Sequence, residues 1–304
     1  MRRILLGLAV LAVLLLATLW VLGRGWLVQP WDAGRPQARA VSPSVVEARA
    51  SRERAAALAV GLTEPKQILF GDLHVHTTFS GDAFQMALPM SGGDGAYPVS
   101  DACDYARHCA ALDFWSINDH DLTLTPERWG QTIEAIRQCN AVAGDTQRPD
   151  TVAYLGWEWT QIGSTPANHY GHKNVVLRDL GEDAIPTRPI TAGAPPDTPG
   201  VTEFEPPTLL MGLMAATALG SGGPEAARYF ADTAAVPTCA SGVPVRDLPA
   251  DCREMAATPE ELFAKLDEWG FDALVIPHGT TWGMYTPPGS AWDKQLAPGV
   301  HDPQ

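Results

Sequence analysis

Lysine is nearly missing from this chain: four residues in 304, at Lys66, Lys173, Lys265 and Lys294, against 35 carboxylates. The formal net charge is −14. An acidic surface repels polyanions at long range, which excludes nucleic acid as the main partner. It does not exclude a small phosphorylated substrate, because bound cations dominate the potential inside their own pocket. Also missing is any C-x-x-C pair among the five cysteines, so a thiolate zinc site is not indicated. No G-x-S-x-G elbow, phosphate-binding G-x-x-x-x-G-K loop, H-E-x-x-H helix or tandem repeat occurs either.

What the chain does have begins with an apolar run. Residues 4–22 carry no charge and follow Met1-Arg2-Arg3. As a helix they span roughly 28 Å, close to a bilayer core. Arg2 and Arg3 keep the short end cytoplasmic, so the remainder is expected on the exported side, periplasmic or extracellular. Trp20-Val21-Leu22-Gly23-Arg24 offers no small-x-small cleavage site. That favours an uncleaved anchor over a long cleaved signal and a secreted product. The cysteines agree with an oxidising compartment. Cys239 and Cys252 flank a Gly/Pro-rich loop and are expected to pair; one of Cys103 and Cys109 is expected to reach Cys139, leaving the fifth cysteine free.

The chain then divides into an anchor (1–25), a linker with a stalk helix (26–65) and a metal-binding domain (66–304) with an insertion at about 181–257. Within the domain, apolar runs at 67–76, 112–118, 151–155, 173–177 and 271–276 read as strands. Helices are expected at 100–111, from Thr125-Pro126 to about 142, and from Thr258-Pro259 to Trp269, the last opened by a capping box and closed by Gly270. Such alternation predicts an α/β domain with parallel strands and ligands beyond their carboxyl ends. The insertion, with short helices expected at 208–219 and 224–235, reads as a cap beside the site.

Five segments carry chemistry, all at strand tips. His74-Val75-His76 puts two imidazoles on one face of a strand, with Asp82 just beyond. A lone His-x-His also fits two surface histidines, and Asp82 also fits a turn. Asp119-His120 ends a buried strand; either His120 ligates and Asp119 orients a ligand, or both ligate. Asp121 better fits the role of helix-entry cap. Glu158 lies between Trp157 and Trp159, where an unpaired charge is expensive. Of His169 and His172 only one need be a ligand, and His172 is preferred. Lys173 is a candidate substrate contact, its alternative a solvated surface lysine. His278 ends the last strand.

In this order, Gly71-Asp72-Leu73-His74-Val75-His76, Asp113-Phe114-Trp115-Ser116-Ile117-Asn118-Asp119-His120, Gly156-Trp157-Glu158-Trp159, Gly171-His172-Lys173-Asn174-Val175 and Pro277-His278-Gly279-Thr280-Thr281-Trp282-Gly283 resemble the PHP (polymerase and histidinol phosphatase) superfamily, closest to a PHP-like branch of unknown function. The resemblance implies a distorted seven-stranded (β/α) barrel with two or three divalent ions (Mn, Zn or Fe). Their ligands would be His74, His76, Asp82, His120, Glu158, His172 and His278, with Glu158 bridging and Asp119 beside them in a catalytic role. It implies a metal-dependent hydrolase, most naturally a phosphoesterase acting on a small molecule through metal-activated water. The alternatives are hydrolysis of another ester or an amide, or an inactive membrane-tethered metal-binding module. The family also carries a late Asp-x-His pair. Here His301-Asp302 has the reverse order and Gln304 ends the chain, so the barrel is expected to be incomplete and the chain a fragment.

Overall fold

A computed structural model describes residues 2–63, 69–143, 147–192, 209–283 and 285–292. The uncharged N-terminal run forms one helix, α1 (Arg2–Gly23), with its apolar side chains exposed for most of its length. A second helix, α2 (Pro43–Ala59), follows the linker. The domain proper is mixed α/β, built on three small sheets.

The first sheet is parallel, in the order β1 (Gly71–Val75), β2 (Phe114–Ile117), β3 (Val152–Tyr154). Its crossovers contain α3 (Gly81–Ala87), α4 (Val99–Asp104), which runs on as a π turn to Cys109, and α5 (Pro126–Ala143). Trp129, Ile136 and Cys139 of α5 are buried on one side, as the helical spacing predicts. The Cys103–Cys139 disulfide ties α4 to α5, and Cys109 is the free, exposed cysteine.

At Leu155 the chain leaves the first sheet for the second. Gly156 makes this possible: a Cβ there would lie 2.4 Å from the Val175 carbonyl oxygen. The second sheet, β4 (Gly156–Thr160), β5 (His172–Leu177) and β8 (Ala273–His278), is antiparallel. The expectation of parallel strands fails here. The physical reason is the short 161–171 connection, since a parallel crossover needs about a dozen residues or more. His172 therefore starts its strand, yet the reversed direction brings it to the same rim as His278, its register partner at the end of β8.

The two sheets meet through the extension of β2. Asn118 N–H donates to Val75 O at 2.8 Å, and Glu158 N–H donates to Asp119 O at 3.0 Å beside a parallel bridge between His120 and Glu158. The strand tips thus run β1, β2, β4, β5, β8 around a curve whose end strands are exposed, with Leu274 of β8 at 54 %. Among the described residues no seven-stranded barrel closes. Trp115, Trp157, Trp159, Val175 and Leu262, from both sheets and from α8 (Pro259–Trp269), share one core. At the start of α8, Thr258 Oγ1 accepts from Glu261 N–H.

The insertion is rooted by a short pairing of β6 (Ile190–Thr191) with β7 (Glu254–Met255) and by the Cys239–Cys252 disulfide. Its residues 193–208 lie outside the described residues, as do His301 and Asp302. Of its helices, α7 (Gly223–Ala234) does not cap the site. It braces α3 from behind, stacking Tyr229 on Phe84 with ring centroids 3.8 Å apart and donating from Tyr229 Oη to Phe79 O at 2.7 Å. The other, α6 (Leu209–Thr217), packs along α1.

Candidate metal centre

Six strand-tip side chains converge on the curved rim. Alternation in β4 turns Trp157 and Trp159 into the core, where their indole N–H groups donate to Ile190 O and Ala256 O, and turns Glu158 to the opposite face. Glu158 is buried, and imidazoles surround its carboxylate. His172 Nδ1 contacts Oε1, and His278 Nε2 lies 2.9 Å from the same oxygen. Around Oε2 stand His76 Nε2 at 2.9 Å, His74 Nε2 at 3.4 Å and His120 Nδ1 at 3.4 Å. Asp82, on α3, reaches His120 Nε2 with Oδ2 at 3.3 Å. The structure thus brings together His74, His76, Asp82, His120, Glu158, His172 and His278.

Burial pushes the Glu158 carboxyl up, but the imidazoles of His172, His278, His74 and His76 outweigh it and hold the group far below the usual carboxylate range. Burial likewise opposes ionisation of Asp82 and His120. Their mutual hydrogen bond reverses that, taking Asp82 down to about 2 and His120, aided by Glu158, up to about 9.

The donor set fits divalent cations. Two sets have ligand atoms all within 4.8 Å of one another: His74, Glu158 and His278, and His76, His120 and Glu158. Glu158 belongs to both. His74 Nε2 and His76 Nε2 are only 2.8 Å apart. One nitrogen belongs to each set, so the two sets adjoin. Glu158 Oε2 is buried and accepts no aligned hydrogen bond despite its close nitrogens. Imidazole with carboxylate suits Zn, Fe and Mn.

Three expected or bland roles are resolved differently. Asp119 does not reach the ligands as a catalytic group. It is fully buried and accepts from Thr77 N–H at 2.6 Å and Thr77 Oγ1 at 2.7 Å, holding the end of β1 against the end of β2; burial raises its pKa. Lys173 is neither a substrate contact nor a solvated lysine. It is buried on the other side of β5 from His172 and Asn174, donating to Tyr170 O at 3.3 Å and lying 5.4 Å from the Trp159 ring centroid. Asp121 does not act as a local helix cap. Its carboxylate accepts from Thr160 N–H at 3.2 Å and Ala192 N–H at 2.5 Å, and burial pushes its pKa up to about 7.

Ser80 and Thr160 went unread in the sequence. Ser80 Oγ lies 2.6 Å from His76 Nδ1 and accepts from His120 N–H at 2.8 Å; Thr160 Oγ1 lies 2.7 Å from His120 Nδ1. Each hydrogen-bonds the ring of a candidate ligand histidine, as outer partners of metal-bound imidazoles do. The available signal was position alone: one precedes a helix, the other ends the Glu158 strand. His169, the alternative to His172, lies away from Glu158, with Nε2 3.0 Å from Gly279 O behind His278. A cavity of about 620 Å³ opens beside His74 and His76 and includes Asp72, Tyr97, Asp101 and Tyr105 in its wall. Its described lining contains no lysine or arginine.

Compared with family models, with curated proteins and with solved structures, the chain matches none.

Proposed function

We propose that this protein is a metal-dependent hydrolase, with a phosphoester as the first candidate bond, held at the outer face of a membrane by α1. The observation that carries this reading is the pair of His/Glu sets sharing one buried carboxylate, Glu158. The motif order shared with the PHP superfamily and the curved series β1, β2, β4, β5, β8 with ligands on one rim support a distorted, incomplete barrel of that type. Ions held there would supply charge neutralisation and activation of water at neutral pH. The chain's own residues do the positioning: Glu158 joins the two sets, Asp82 holds His120, Asp119 sets the turn after His76, and Ser80 and Thr160 orient rings.

A second reading, hydrolysis of an uncharged ester or amide, is favoured by the cavity wall. Phosphate recognition draws on cationic side chains or clustered N–H donors. Asp72 and Asp101 line the cavity instead, and Lys173 points elsewhere. The deciding experiment is purification of the full chain with Mn or Zn, followed by parallel screens of phosphomonoesters, phosphodiesters, carboxylic esters and amides. Turnover of phosphoesters that is lost in His76→Ala supports the first reading. Metal-dependent turnover of esters or amides alone moves the assignment to the second. Stoichiometric metal with no turnover of any class leaves a metal-binding module and overturns both.

A further inference from the structure

A second patch of the surface has no part in the metal site. Residues 206–224 form an uncharged stretch within the otherwise acidic chain. Helix α6 lies in it and is packed on α1. One side, Gly212 and Ala215, is buried against α1; a Cβ on Gly212 would lie 1.8 Å from Leu19 O. Only glycine permits this backbone approach, the device by which helices associate in lipid. The other side is exposed and mostly apolar: Leu209, Leu210, Leu213 and Met214 are 46 %, 64 %, 50 % and 47 % accessible, and the exposed Thr217 hydroxyl at the end of the helix donates back to Met214 O.

The contact point gives a depth. Tryptophan and arginine mark the headgroup level of a membrane helix. Here Trp20 packs edge-on to Trp26 at 5.0 Å, and the Arg24 guanidinium lies 4.7 Å and 5.9 Å from their ring centroids. Gly212 meets α1 at Leu19, on the apolar side of that boundary. The exposed face of α6 is therefore continuous with the fully exposed apolar face of α1.

We propose that α6 is a second membrane-embedded element, which sinks beside α1 into the leaflet nearer the domain and presents Leu209, Leu210, Leu213 and Met214 to acyl chains. The proposal rests on α1 being a retained membrane helix. With nine residues, α6 reaches about 13 Å, too short to cross a bilayer and long enough to enter one leaflet. Two insertions instead of one fix the tilt of the domain. Because α7 follows α6 and stacks on α3, the helix bearing Asp82, the metal rim would be held at a set angle to the lipid surface.

The test uses the full chain in phosphatidylcholine vesicles. In a Cys109→Ser background, Leu213→Cys carries an environment-sensitive fluorophore, and Leu11→Cys in α1 carries the same label as a reference. Blue-shifted emission at Leu213→Cys, quenched by lipids spin-labelled in the acyl chain to within about twofold of the reference, is the expected result. Adding Gly212→Leu should reduce quenching at the α6 label and leave the α1 label unchanged. Water-like emission at Leu213→Cys overturns the proposal. So does a blue shift without lipid quenching, which would mean that a second copy or another protein covers the face. If the α1 reference itself is unquenched, the anchor reading has failed, and the two failures are distinguishable.

Discussion

Glu158 and Glu254 are both buried glutamates, and their surroundings differ in kind. Glu254 is met by a guanidinium and an ammonium group, Arg188 Nη2 at 2.9 Å and Lys265 Nζ at 3.0 Å. Two cationic side chains face one carboxylate there, although its Oε2, like that of Glu158, accepts no aligned hydrogen bond. Glu158 is met by the rings of His74, His76, His120, His172 and His278. Imidazole differs from guanidinium and ammonium in being a common metal ligand. The first arrangement is a finished structural ion pair. The second contains two sets of side chains that could hold a metal ion.

The sharpest way to break the contrast is to neutralise the structural member. Glu254→Gln leaves buried Arg188 its carbonyl partners but no carboxylate to balance its charge, and should destabilise the fold by about 3–5 kcal/mol. Denaturant melts should show this loss, while bound metal per folded chain stays at the wild-type level. Ser80→Ala and Thr160→Ala probe the other member. They remove the partners of His76 and His120 and should weaken metal binding by about 10- to 100-fold with little change in melting temperature. Competition with a chelator reads that effect.

The smallest effect concerns pH. In the metal-free chain His120 is raised from 6.5 to about 9, so its ion pair stabilises the fold fully below pH 6.5 and is lost as pH rises through about 9. Melting temperature of the apo form should fall across that window. Metal requires the neutral ring, so its apparent affinity should rise over the same window. Parallel slopes in the two experiments would break the link between His120 and the metal.

Much of the centre was legible from strand periodicity. His74 and His76 share a face because they are two apart, and Glu158 opposes its flanking tryptophans for the same reason. That rule also separates Lys173 from His172 and Asn174, so its burial beside Trp159 was readable from alternation. The antiparallel second sheet was legible in principle from the short link between β4 and β5. Ser80 and Thr160 were not, because a hydroxyl beside a turn or a strand end is ordinary until the fold brings a histidine to it. The place of α7 behind α3 depends on Tyr229 meeting Phe84 across a long sequence separation, which no local pattern encodes.

The central claim is that Glu158 joins two metal sites. It is tested most directly by elemental analysis of the full chain saturated with Mn or Zn and freed of excess, beside Glu158→Gln treated alike. The account predicts at least two ions per chain in the parent and loss of both in the variant, with the far-ultraviolet circular dichroism unchanged. Two ions retained by a folded Glu158→Gln chain, or none in the parent, would contradict it.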